Sequence, residues 1–218
     1  MTPTTAGVLV SSGIQVAAAL LFVVVLRYFE RAGRPFLRYW TLSWFAFAIY
    51  TTIVVASRLV ANSPTAAAPT APIRVMLSVA SLTAGFLQLV WLIAGTYEVS
   101  QRQVTARRFL LPAFAGALVI GAGLTFAWIG DPAATAARYY ARVGVRVMLT
   151  GGAFSVAAFW LAIEARQRGL VSWLLPVALL TYGASQVGTF FWAMPLATLT
   201  PETNMAWRMG FAALEVFL

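Results

Sequence analysis

Apolar runs of about twenty residues, separated by short polar connections, repeat along the whole chain. A helix needs about 20 mostly apolar residues to cross roughly 30 Å of hydrocarbon. Six runs reach that length: Val8–Phe29, Leu37–Val60, Val75–Tyr97, Phe109–Ile129, Tyr139–Ile163 and Leu170–Trp192. A seventh, Met205–Leu218, has only 14 residues and reads as a span cut short by the C-terminus. The pattern predicts an all-α polytopic membrane helical bundle, one domain over residues 1–218. It would have seven transmembrane helices, the seventh truncated. The N-terminus has no basic n-region and no small-residue cleavage site after its first apolar run, so that run is expected to be retained.

The connections alternate in character. Those after the first, third and fifth helices are basic: Arg27, Arg31, Arg34 and Arg38, then Arg102, Arg107 and Arg108, then Arg166 and Arg168. Those after the second, fourth and sixth are rich in Ala, Thr and Pro, as in residues 62–72 and 195–201. The positive-inside rule places the basic loops in the cytoplasm. Nine arginines then lie inside, against Arg58, Arg74, Arg138, Arg142, Arg146 and Arg208 toward the outside. This orientation predicts an outer N-terminus and a seventh helix that runs inward, so that the chain's function continues past residue 218 in a cytoplasmic output domain or a protein partner. Interfacial aromatics agree, with Tyr28, Phe29, Tyr39 and Trp40 on the inner side and Trp128, Tyr139, Tyr140, Trp192 and Trp207 on the outer side.

Composition narrows the chemistry. Hydrophobic residues are 61% of the chain and charged residues 10%, far from the roughly 25% charge of a soluble domain. The net charge of +9 comes from arginine alone. Those arginines sit at the ends of apolar segments, where they meet lipid headgroups, and not on a continuous basic face, so nucleic acid is not an expected partner. With no Cys there is no disulfide, thiolate nucleophile or thiolate metal site. With no His the usual near-neutral acid–base group and bis-histidine haem ligation are absent. With no Lys there is no Schiff base for retinal within these residues. No Ser/His/Asp set, phosphate loop or useful carboxylate pair is present, so the chain reads as non-catalytic, with no cofactor and no metal site.

Charged residues near or within the spans are the candidate site. Arg138, Arg142 and Arg146 recur every four residues and share one stripe of the fifth helix. One reading is an anion site at the outer mouth of the bundle, with Arg58, Arg74 and Arg208 converging on it. The simpler reading has Arg138 and Arg142 snorkelling to headgroups while Arg146 pairs with a carboxylate. Glu215, in the last apolar run with Arg208, is either a functional intramembrane carboxylate or the partner of an arginine. Glu30, Glu98 and Glu164 fall at inner helix ends, where surface pairing is expected. Asp131, before Pro132, begins a turn or caps the next short segment.

Gln15, Gln88 and Gln186 are expected to form interhelical hydrogen bonds. Ser81 with Gly85, Ala117 with Gly121 and Ala184 with Gly188 mark close helix approaches. Pro112 opens the fourth helix without cost, whereas Pro176 should kink the sixth. Gly151 and Gly152 weaken the middle of the fifth. No internal repeat of the kind found in inverted-repeat transporters is visible.

Two stretches carry a resemblance. Residues 26–47, with the basic-aromatic run Arg27-Tyr-Phe-Glu-Arg31 leading to Arg38-Tyr-Trp40, and residues 207–218 resemble the N-terminal multi-pass sensory regions of bacterial histidine kinases and diguanylate cyclases. The resemblance implies a sensor in the bacterial inner membrane that takes in a signal and relays it through the seventh helix. It supplies no catalytic residue. An accessory subunit of a larger membrane complex is the second expectation, and a transporter or channel the third. The expected partners are the lipid bilayer and another protein, in a homodimer or a larger assembly.

Overall fold

A computed structural model of the chain describes residues 3–31, 37–61, 68, 70–101, 107–127, 129, 131, 135–168 and 172–196. They form six helices: α1 Pro3–Arg31, α2 Leu37–Ala61, α3 Pro72–Gln101, α4 Arg107–Phe126, α5 Thr135–Arg168 and α6 Leu174–Leu196. No strand occurs among the described residues. Five helices are long and apolar enough to cross a membrane, and α6 adds the shorter apolar stretch Leu174–Gly188. The expected seventh helix lies outside the described residues.

The bundle is organised on α3. It packs against α2, α4 and α5, while α1 adds to α2 and α6 to α5. Contacting residues set the directions. Ser43 meets Gln88 and Tyr39 stacks on Trp91, so α2 and α3 are antiparallel. Gly85 meets Arg146 and Tyr97 meets Trp160, so α3 and α5 run parallel. The α1–α2, α3–α4 and α5–α6 connections therefore gather at one end, and the α2–α3 and α4–α5 connections at the other.

Leu82, Phe86, Leu89 and Leu92 of α3 form the core with Ala117 of α4, Phe154 and Ala157 of α5 and Tyr182 of α6. Between apolar helices in lipid, close packing and dispersion replace the hydrophobic drive of a soluble core. Glycine makes that approach possible at two seams. A Cβ on Gly95 would run into the Trp40 ring, which is how α2 sits against α3. Gly151 and Gly183 bring the α5 and α6 backbones together, with a Cβ on Gly183 falling 3.2 Å from the Gly151 carbonyl oxygen.

Several expectations change. The fifth helix runs unbroken through Gly151 and Gly152 over 34 residues, about 51 Å at 1.5 Å per residue. The two prolines exchange roles. The fourth helix starts at Arg107, so Pro112 lies inside it. The sixth starts only at Leu174, so Pro176 sits in its first turn, where its missing N–H costs nothing; the Ser172 carbonyl accepts from Leu175 instead. Ala184 is exposed and Gly188 has open space around it, so that pair marks no described seam, unlike Gly121 against Thr83. Glu164 is not a surface carboxylate. It is 2% exposed, because α5 runs on to Arg168 and keeps it within a packed helix. Glu30 does pair at the surface, with Arg27 at 3.0 Å.

Candidate functional site

Arg142 crosses from α5 to the end of α4. Its Nε donates to the Leu124 carbonyl at 2.9 Å and Nη2 donates to the Thr125 carbonyl. The last carbonyls of a helix lack intrahelical donors, and the helix dipole makes that end negative, so a guanidinium there is a natural cap.

The same guanidinium lines a cavity of about 260 Å³ at the α2–α3 end. Arg58 and Ser57 enter it from α2, and Arg74, Ser78 and Ser81 from α3. Thr125 of α4 completes it, so four helices meet at one polar space. Three of the described lining residues are arginines and none is acidic. The hydroxyls are largely turned to the scaffold. Thr125 Oγ1 donates to the Gly121 carbonyl at 2.8 Å, which leaves Ser78 as donor in the 3.1 Å Ser78–Thr125 contact. Ser81 Oγ donates to the Ser78 carbonyl at 3.0 Å. Ser78, Ser81 and Thr125 thus spend their protons within the scaffold and present lone pairs beside the three arginines of the lining.

Arg146 lies one turn further along α5 and deeper in the bundle. Its Cζ is 3.5 Å from the centroid of the Tyr50 ring. Its buried Nε has no hydrogen-bond partner, and it makes no ion pair with a described residue. Among the described residues its partner is the face of an aromatic ring, a cation–π contact strengthened by desolvation; Glu215, the carboxylate expected in the last apolar run, lies outside them. Gly85 makes the room: a Cβ there would lie 2.7 Å from Arg146 Nε.

The proposed stripe is therefore divided. Arg142 is in the cavity with Arg58 and Arg74, and Arg146 lies beneath it on Tyr50. Arg138 sits one turn before Arg142 on α5, its side chain outside the described residues. Arg208 and Glu215 also lie outside them. Sequence reasoning missed Tyr50, whose aromatic ring inside an apolar span looks like packing. It also missed the hydroxyls of Ser57, Ser78, Ser81 and Thr125. Gln88 turns out to be buried with Oε1 unpartnered, and it is its backbone carbonyl that joins α2 and α3, accepting from Ser43 Oγ at 2.8 Å.

A second space is different in kind. α4 and α5 each pack along α3 but barely meet each other, which leaves an apolar groove of about 1010 Å³. Leu89 and Ile93 floor it, Leu110 and Ile120 form one wall, and Met148 and Trp160 the other.

The fold and this arginine cavity define a multi-pass helical membrane bundle with a basic, polar recess at one end. No family model, curated protein or solved structure matches the chain.

Proposed function

We propose that this chain is a non-catalytic signal-input module of a bacterial inner-membrane protein. Its arginine cavity opens to the outside, and its output passes inward through a seventh helix. The observation that supports this reading most is the convergence of α2, α3, α4 and α5 on one cavity through Arg58, Arg74, Thr125 and Arg142. A ligand touching all four has differential contacts with alternative packings, which is what a population shift requires. Arg142 couples the cavity to the scaffold, since it also caps α4. The alternation of basic and Ala/Thr/Pro-rich connections supports the orientation.

The absence of cysteine gives a clean test. Single cysteines at Ala68, in the α2–α3 connection, and at Ser100, near the far end of α3, are labelled in intact cells and then in opened membranes. The orientation predicts that Ala68→Cys reacts from outside and Ser100→Cys only after opening. Signal input further predicts that Arg74→Gln changes the labelling rate at Ser100→Cys, while Gly116→Ala, at a site with open space around it, does not. An unchanged rate would remove the sensor reading. The second reading, an accessory subunit, is favoured by the apolar groove between α4 and α5, which has room for a partner's helix; it predicts co-purification with another membrane protein.

A further inference from the structure

We infer that the arginine cavity is a phosphate-class anion site, deepening the signal-input reading by naming the chemistry of its ligand. Arg58, Arg74 and Arg142 come from three different helices and line the one cavity. A planar carboxylate offers two oxygens in one plane, which one guanidinium fork satisfies. A tetrahedral phosphate offers oxygens on several sides and can accept from side chains of several helices at once. The space of about 260 Å³ exceeds what a single halide fills and accommodates a phosphate with its ester group or a few waters.

Charge points the same way. Among the described residues, this end of the bundle holds Arg58, Arg74, Arg142 and, deeper, Arg146, with Arg138 one turn before Arg142 on α5. The described carboxylate at this end is Asp131, two residues past Ile129 of the cavity wall. Among the described residues, one carboxylate against Arg58, Arg74 and Arg142 leaves a surplus of positive charge, which stabilises a bound anion in addition to direct hydrogen bonds.

The apolar spans end at Val60 and Phe126 and begin at Pro72 and Tyr140. Arg58, Arg74, Thr125 and Arg142 each lie within two residues of one of those limits, so the cavity sits where hydrocarbon gives way to headgroups. A phosphate reaches that level either as the headgroup of an anionic lipid or as a soluble phosphate compound, and the two share the chemistry the cavity reads.

The test measures thermal stability of the full chain purified in a non-ionic detergent. One arm titrates inorganic phosphate, a second short-chain phosphatidic acid, and a third acetate at matched ionic strength. Wild type should be stabilised by phosphate, by phosphatidic acid or by both, and not by acetate. The arm that responds identifies the source. Arg74→Gln and Arg58→Gln should each weaken the response about tenfold in apparent affinity, the loss of one charge-assisted contact. Arg58 is exposed, so its replacement leaves folding intact. Arg166→Gln, exposed on the opposite end of α5, should respond like wild type. Equal stabilisation by acetate, no response in the first two arms, or an equal loss in Arg166→Gln would each overturn the site. Phosphate binding with a silent Ser100→Cys reporter would remove the sensor reading and leave the anion site standing. A responsive reporter without phosphate binding would do the reverse.

Discussion

The guanidinium of Arg146 rests on the ring of Tyr50, with 3.5 Å between Cζ and the ring centroid, and Gly85 is the residue that lets it enter. A charge at that position in an apolar bundle is costly unless something compensates it. Here the compensation is the negative face of an aromatic ring on α2, held by a residue on α5, so the contact also ties together two helices that both pack on α3.

This contact predicts an asymmetry between two substitutions of Tyr50. Tyr50→Phe keeps the ring and should leave the melting temperature close to that of wild type. Tyr50→Leu removes the ring and should destabilise by about 1–2 kcal/mol, the range for a desolvated cation–π contact. Thermal unfolding in detergent measures both, and equal behaviour of the two variants would count against the contact.

The Trp40–Gly95 seam predicts a steric effect. Gly95→Ala places a Cβ inside the space of the Trp40 indole and should destabilise by about 1–3 kcal/mol, the usual cost of overpacking. Gly116→Ala, with nothing within 4 Å, should be neutral or slightly stabilising, because alanine is the better helix former. The same unfolding assay reads both.

Arg142 should behave differently from Arg74 even though both line the cavity. Arg142→Gln removes the cap on the Leu124 and Thr125 carbonyls, worth about 1.5–3 kcal/mol for hydrogen bonds from a charged donor. Amide exchange in the last turn of α4, near Gly123–Ala127, should quicken. Arg74→Gln should leave that exchange unchanged.

At the α5–α6 seam, Gly183→Ala puts a Cβ 3.0 Å from Phe154 Cβ and 3.2 Å from the Gly151 carbonyl oxygen. Since one of those neighbours is backbone, the helices must separate. We expect a loss of about 1–3 kcal/mol and faster labelling of a cysteine introduced at Ser185, on the α6 side of that seam.

Some of the candidate site could be read one residue at a time. The four-residue spacing of Arg142 and Arg146 put them on one face of α5, and small residues such as Gly85 and Gly121 marked close approaches. What each would face could not be read, because a spacing rule describes one helix and says nothing about its neighbour. The spacing of Arg146 thus gave no sign of the ring supplied from α2. The prolines misled for a related reason: their effect depends on where a helix begins, and the starts of α4 and α6 each differ from the apolar limits. The apolar run stops at Ile163, one residue before Glu164, whereas the helix continues to Arg168 and buries that carboxylate.

By itself, the sequence determined that the chain is helical and suited to a bilayer, since length and apolarity of a span are local properties that hydrocarbon tests segment by segment. It also determined which functional groups exist to be used: arginine and hydroxyls, with no His, Cys or Lys. Only the tertiary structure decided that Arg58, Arg74 and Arg142 share one cavity while Arg146 is withdrawn beneath it. That outcome depends on α3 carrying α2, α4 and α5 at once, and on glycines that let side chains from distant parts of the chain meet.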